Sequence, residues 1–213
     1  MRIRPALLLL PAALAVAALS GGAAVAQDVT VVVPVFSQLV VIPGPAGFVS
    51  IYEGTEGDSY INEFAPVGQT VEDWTEMVTL TGSRGRAAGD PGEAAVGFGN
   101  AVAGNYADAC PDSFTAAELE APPVAGAAYG FAAYLSCGTV AGTDHGESMI
   151  ALFIAGAEDV YTVQWAERMP ASGTAVAYDP GRWDARLQVL TSATRLCPRV
   201  EGEVAPYPSC TGG

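Results

Sequence analysis

The sequence has no lysine, one histidine and no paired C-x-x-C spacing, and each shortage removes a class of chemistry. Without lysine there is no amine nucleophile and no phosphate-binding G-x-x-x-x-G-K loop. Four cysteines at irregular spacing and a lone His145 make a poor zinc set, which favours clustered Cys and His ligands. No G-x-S-x-G turn is present to expose a serine nucleophile, and no EF-hand spacing is present to hold calcium. No cofactor motif occurs, and neither a cofactor nor a resident metal is expected.

Cationic charge is equally scarce. Nine arginines stand against 23 acids, a formal charge of −14. Nucleic acids are bound through basic faces that displace counterions, so that class of partner is excluded. Docking on an anionic membrane surface is disfavoured for the same reason.

What is present begins with a leader pattern. Arg2 and Arg4 precede the apolar stretch Ala6 to Leu19, broken by Pro11 and followed by Ser20-Gly21-Gly22 and Ala24-Val25-Ala26. That order is a secretory signal peptide over residues 1–26. The stretch falls short of the roughly 20 unbroken apolar residues a spanning helix needs, so no stable membrane anchor is expected after cleavage. Loss of Arg2 and Arg4 leaves seven arginines against 23 acids, a formal charge of −16. Residues 27–213 are expected to form one globular domain, periplasmic or secreted. Half of the full sequence is apolar and 15% is charged, a composition that folds.

An even cysteine count in an exported chain predicts disulfides. Cys110, Cys137, Cys197 and Cys210 allow three pairings. Cys110–Cys137 and Cys197–Cys210 are favoured because each closes a modest loop, and the second pins a proline-rich tail. Each closure contributes roughly 3–4 kcal/mol in the chain-entropy model.

Along the chain, Leu39 to Ile42 is a β-branched run stopped by Pro43-Gly44-Pro45. Phe48, Val49 and Ile51 start a second strand, Glu53 to Asp58 is a loop, and Tyr60 to Phe64 returns. Val71 to Trp74 is predicted as a helical turn burying Trp74. Met77 to Thr81 is predicted as a strand, with a helix over 70–80 as the alternative, and Gly82 to Gly89 is a loop. Asp90-Pro91-Gly92-Glu93 opens a helix with a cap, a proline at the first position and a capping-box glutamate. Ala95, Phe98, Val102 and Tyr106 line one face of that helix. Phe114 to Glu120 is a weak strand. Tyr129 to Leu135, Met149 to Ala155 and Tyr161 to Trp165 are stronger ones, the last two joined at Gly156-Ala157-Glu158. A closing helix runs from Asp179-Pro180 to Cys197-Pro198, with Trp183, Leu187 and Leu190 on one face. Strands, helix, strands, helix imply an α+β fold, a mostly antiparallel sheet with two main helices packed on it.

The run Tyr60 to Met77, containing Pro66, Gly68 and Trp74-Thr75-Glu76-Met77, resembles small uncharacterised exported bacterial proteins of the group whose α/β/α sandwich is shared by PsbP and DcrB. The strand Val160 to Arg168 fits the same resemblance. It implies a PsbP-like sandwich and a role as a binding or assembly accessory, and it carries no catalytic residue onto this chain.

Four constellations are candidate sites. Asp144, His145 and Ser148 can be drawn as orienter, base and nucleophile of a hydrolase, although triad members ordinarily converge from separate segments. Glu53, Glu56 and Asp58 offer three carboxylates to a hard cation, against their reading as a solvated hairpin tip. Ser83-Arg84-Gly85-Arg86 offers backbone N–H groups and guanidinium forks to a small anion, against its reading as a surface loop. Trp74, Trp165 and Trp183 are read as core. No residue is assigned as catalytic, cofactor-binding or metal-binding. The expected function is a non-enzymatic binding or accessory protein with an unknown protein or small-molecule partner, and the alternative is the Asp144/His145/Ser148 hydrolase.

The leader pattern makes one prediction directly: cleavage falls between Ala26 and Gln27. Intact mass spectrometry of the exported protein checks it, and a product retaining Met1 refutes it.

Overall fold

The computed structural model describes residues 29–211, so the leader and its cleavage point lie outside the described residues. Strands β1 (Val29–Val35), β2 (Gln38–Gly44), β3 (Phe48–Glu56), β4 (Ser59–Pro66) and β5 (Glu76–Ser83) precede helix α1 (Pro91–Ala109). Strands β6 (Phe114–Leu119), β7 (Tyr129–Cys137), β8 (His145–Ala155) and β9 (Val160–Pro170) follow. Helix α2 (Pro180–Ala193), strand β10 (Arg195–Pro198) and the short α3 (Pro208–Thr211) complete the order. Seven strands form one antiparallel sheet in the order β3-β4-β5-β9-β8-β7-β6, and β1-β2-β10 form a second sheet. The α+β class, the mostly antiparallel sheet and the two main helices are as expected.

The two faces of the large sheet are covered differently. Helix α1 lies on one face, over β6, β7 and β8. The other face carries α2 and the small sheet together, with Val40, Ile42, Trp183, Leu190 and Leu196 packed on Val78, Leu80, Ile150, Leu152 and Val163. Strand β2 is buried along its whole length. Its inner side chains meet the large sheet, and Leu39 and Val41 on the outside meet Tyr207 and Cys210 of the tail. That double coverage explains its unbroken apolar run, as in any strand with both faces closed.

Both helices start as their sequences require. Asp90 accepts from the Glu93 N–H at 2.8 Å and Asp179 from the Gly181 N–H at 2.9 Å, each followed by a proline in the first turn. The disulfides are Cys110–Cys137 and Cys197–Cys210, with Cα separations of 5.6 and 5.7 Å. The first ties the end of α1 to β7. The second holds the tail over the small sheet.

Several boundaries differ from expectation. Strand β1, unforeseen, pairs along the whole of β2, and the turn between them is Phe36-Ser37. The strand begun at Leu39 runs through Pro43 to Gly44, so the turn lies at residues 45–47. Glu53 to Glu56 is strand and not loop, and the turn shrinks to Gly57-Asp58. Val71 to Trp74 is not helical. There Gln69 bonds Thr75 through its side chain (2.8 and 3.0 Å), and the Thr70 hydroxyl accepts from the Asp73 N–H, so local polar groups replace a helix ladder. The helical alternative over 70–80 gives way to β5. Helix α2 stops at Ala193. Thr194 turns extended, and the Leu196 N–H bonds Ala125 O at 2.8 Å as β10 joins β2.

The glycines of α1 divide by what faces them. A Cβ at Gly99 would stand 2.7 Å from Phe131 Cζ, whereas Gly104 faces open space. Gly104→Ala is therefore expected to raise stability by about 1 kcal/mol from helix propensity. Gly99→Ala is expected to lower it by about 1–3 kcal/mol through overpacking. Urea denaturation of both variants checks the opposite signs.

Candidate functional site

The strand register lays out the face beneath α1. Tyr52, Glu63, Thr79, Gln164 and Ala151 form one row across β3, β4, β5, β9 and β8, and Gly54, Ile61, Thr81, Thr162 and Phe153 form the next. Phe98 and Val102 of α1 pack over the Ala151 and Phe153 end. Beyond them no helix among the described residues covers β3, β4 and β5, and a cleft of about 720 Å³ opens between α1 and this part of the sheet. Ile61, Tyr52, Phe98 and Val102 give it apolar walls, while Thr81 and Gln164 give it a polar floor. Thr81 and Thr162 share a 2.6 Å hydrogen bond, and Gln164 Nε2 donates to Thr162 Oγ1 at 3.0 Å. The floor is thus a preset hydroxyl and amide strip. No arginine lines the cleft, and Glu56 stands at its mouth.

Further along the same face, Glu63 and Glu147 are half-buried near one another. Burial pushes the Glu63 carboxyl upward, and the charge of Glu147 adds to that. Tyr106 of α1 donates to Glu147, and burial with the same neighbouring charge pushes its hydroxyl well above the ordinary tyrosine range.

The structure disperses the four constellations. His145 and Ser148 both lie in β8, not in a loop. Three residues apart on one strand, they point to opposite faces. Ser148 is fully buried and bonded to Ser136 (2.6 Å) and Tyr134 (3.1 Å), while Asp144 is 3.5 Å from the His145 ring. The hydrolase arrangement is therefore not assembled. Glu53 and Glu56 likewise fall on opposite faces of β3. Glu53 accepts from Tyr60 at 2.8 Å, and Asp58 sits 3.9 Å from Arg84. Among the described residues, no three acids, histidines or cysteines converge as metal ligands.

One N–H of the Ser83–Arg86 loop, that of Gly85, is taken by an internal carboxylate, while Arg84 lies beside Asp58. The carboxylate of Asp159 takes the Gly85 N–H at 2.7 Å, together with the Ser37 N–H (3.0 Å), the Ser37 hydroxyl (2.6 Å) and the Tyr161 hydroxyl (3.2 Å). Arg84 stacks on Phe36 at 4.5 Å. The three tryptophans are buried, and each lies against a guanidinium: Arg168 over Trp74, and Arg186 against both Trp165 and Trp183. Arg182 and Arg186 also pair with buried Glu167, which fastens α2 to β9.

The cleft is the site the residue-by-residue reading missed. Its signal was nonetheless in the sequence. Thr79 and Thr81, then Thr162 and Gln164, place polar groups at every second position of strands that prove to be central in the sheet. Central strands carry such alternation where one face is left without an apolar cover.

No family model matches the chain, and no curated protein matches it in sequence. Among solved structures it is similar to CyanoP, the PsbP of Synechocystis sp. PCC 6803, at 13% identity and a TM-score of 0.48, covering 83% of this chain and 96% of that one. It is also similar to the Ran-binding protein Mog1p of Saccharomyces cerevisiae, at 9% identity and a TM-score of 0.47, covering 79% and 96%. A mutant of protein Mog1 matches at 9% identity and a TM-score of 0.48, covering 79% and 95%. At such values the likeness is one of chain path alone.

Asp159 provides the site's pH prediction. Burial alone would raise its pKa, but the bonds from Ser37, Gly85 and Tyr161 prevail and lower it. A depressed folded pKa means stabilisation that is present above the unfolded value of about 3.9 and lost as pH falls through the folded value. Asp159→Asn is expected to cost about 2–3 kcal/mol near neutral pH, with the difference from wild type closing in acid. Chemical denaturation across that pH range checks it, and a constant difference refutes the assignment.

Proposed function

We propose that the chain is an exported accessory protein, one domain from residue 27 onward, that acts by binding and not by catalysis. Its ligand-binding site on this reading is the cleft between α1 and the open part of the large sheet. The observation that carries the proposal is the polar floor of Thr81 and Gln164, both bonded to buried Thr162, between apolar walls, a combination suited to a small amphipathic ligand. With no arginine in its lining and Glu56 at the mouth, the cleft favours neutral or cationic molecules and disfavours anions. Two formed disulfides support an oxidising compartment, periplasmic or extracellular. The separation of His145 from Ser148 supports a non-catalytic role. No helix among the described residues is long and apolar enough to cross a membrane.

The test is a fluorescence titration with three dyes: neutral Nile red, cationic thioflavin T and anionic anilinonaphthalene sulfonate. The neutral and cationic dyes are expected to saturate. Both should weaken at least tenfold, about 1.4 kcal/mol, in Ile61→Trp, which fills the cleft. Equal binding of the anionic dye, or indifference to Ile61→Trp, overturns the reading.

A further inference from the structure

The free edge of β6 stands apart from the cleft. Among the described residues this strand ends the large sheet and pairs with β7 alone, through six residues in unbroken register. Its outer residues Ala116, Ala117 and Glu118 are exposed. The opposite edge, β3, carries a bulge between Ser50 and Tyr52, a device that spoils an edge for pairing. Strand β6 has no such irregularity.

Depressions flank this edge on both faces of the sheet. On one face a hollow of about 250 Å³ lies between α1 and β6, where Gly99, Ala103 and Ala116 are small and Val96 is exposed at the rim. On the other a hollow of about 500 Å³ separates Leu119 to Pro122 from Leu187 and Thr191 of α2. A third, of about 770 Å³, runs past Glu118 to Pro122 and exposed Tyr129 and joins the end of β6 to both. A strand has side chains alternating between two faces, and here each face has a hollow beside the free edge.

We propose that β6 is a docking edge for an extended, basic segment of a partner protein, which adds as an eighth strand and seats alternate side chains in the two flanking hollows. Main-chain bonds to the edge would hold such a segment, and the hollows would select its side chains. The charge follows from the lining. Glu118, Glu120 and Asp184 border the three hollows and no arginine does. A second copy of this chain would bring the same acids to the seam and a formal charge of −14 of its own, so complementarity points to a cationic partner.

The experiment uses the oxidised protein, isotope-labelled for amide NMR and hydrogen exchange. It is titrated with a short synthetic peptide in which valine alternates with lysine, and separately with its valine–glutamate counterpart. The lysine peptide is expected to shift the amides of Ala116 to Leu119 saturably, to slow exchange at the outward-facing ones at least tenfold, and to weaken as salt is added. Glu118→Lys is expected to shift preference toward the glutamate peptide. Ala116→Trp, filling the hollow beside α1, should weaken the lysine peptide at least tenfold while amides remote from β6 keep their positions. The proposal is overturned if neither peptide perturbs β6, if both bind equally, if the shifts map to the cleft instead, or if β6 is occupied by a second copy in a concentration-dependent dimer.

Discussion

A buried carboxylate governs how the layers meet. Asp159 sits in the turn between β8 and β9, nearly inaccessible to solvent, and takes hydrogen bonds from Ser37, Gly85 and Tyr161. Those donors belong to the β1–β2 turn, the loop after β5 and strand β9, so one group in the β8–β9 turn ties the small sheet to two further parts of the large one. Burying an unpaired charge costs several kcal/mol unless donors replace its water. Four donors do so here, two of them backbone N–H groups whose positions depend on the surrounding turns. The arrangement rewards a single placement of the small sheet and leaves other placements with a stranded anion.

From that placement follows the asymmetry of the two faces. The small sheet and α2 close one face with Val40, Ile42, Trp183 and Leu196, and that face is apolar throughout its centre. Helix α1 covers part of the other, and where it stops the rows change from Ala151 and Phe153 to Gln164, Thr81 and Thr79. The sheet then has a closed side that holds the fold together and a half-open side on which polar groups face solvent. Arg182 and Arg186 fasten α2 to the closed side through Glu167 of β9, a strand that also runs beneath the open side.

Much of this was legible from local patterns. Alternation in Tyr129, Phe131, Ala133 and Leu135 marks β7, the Asp-Pro pairs mark the starts of α1 and α2, and the cysteine spacing favoured the pairing observed. What escaped depends on partners distant in sequence. Val29 to Val35 has a strand's meaning only beside β2. Arg195 to Pro198 has the look of a helix end and becomes a strand because β2 and Ala125 receive it. His145 to Ser148, rich in glycine and polar groups, reads as loop, yet β7 and β9 pair with it on both sides. The Ser83–Arg86 loop reads as a small-anion site or a surface loop, and no local pattern shows that its Gly85 N–H is taken by Asp159. The cleft, similarly, is a property of which strands adjoin and where a helix ends.

The closure of β2 has a consequence for the order of assembly. Its outer residues Leu39 and Val41 rest against Tyr207 and Cys210, and its edge pairs with Arg195 to Pro198. A strand from the beginning of the described chain thus waits for residues near its end. Contacts so far apart in sequence form slowly, because a long loop must close before they contribute. During synthesis, β2 would have one apolar face uncovered until the tail arrived. The Cys197–Cys210 bond braces the tail at the place where it closes this outer face of β2, so one covalent link near the end of the described chain protects a strand at its beginning.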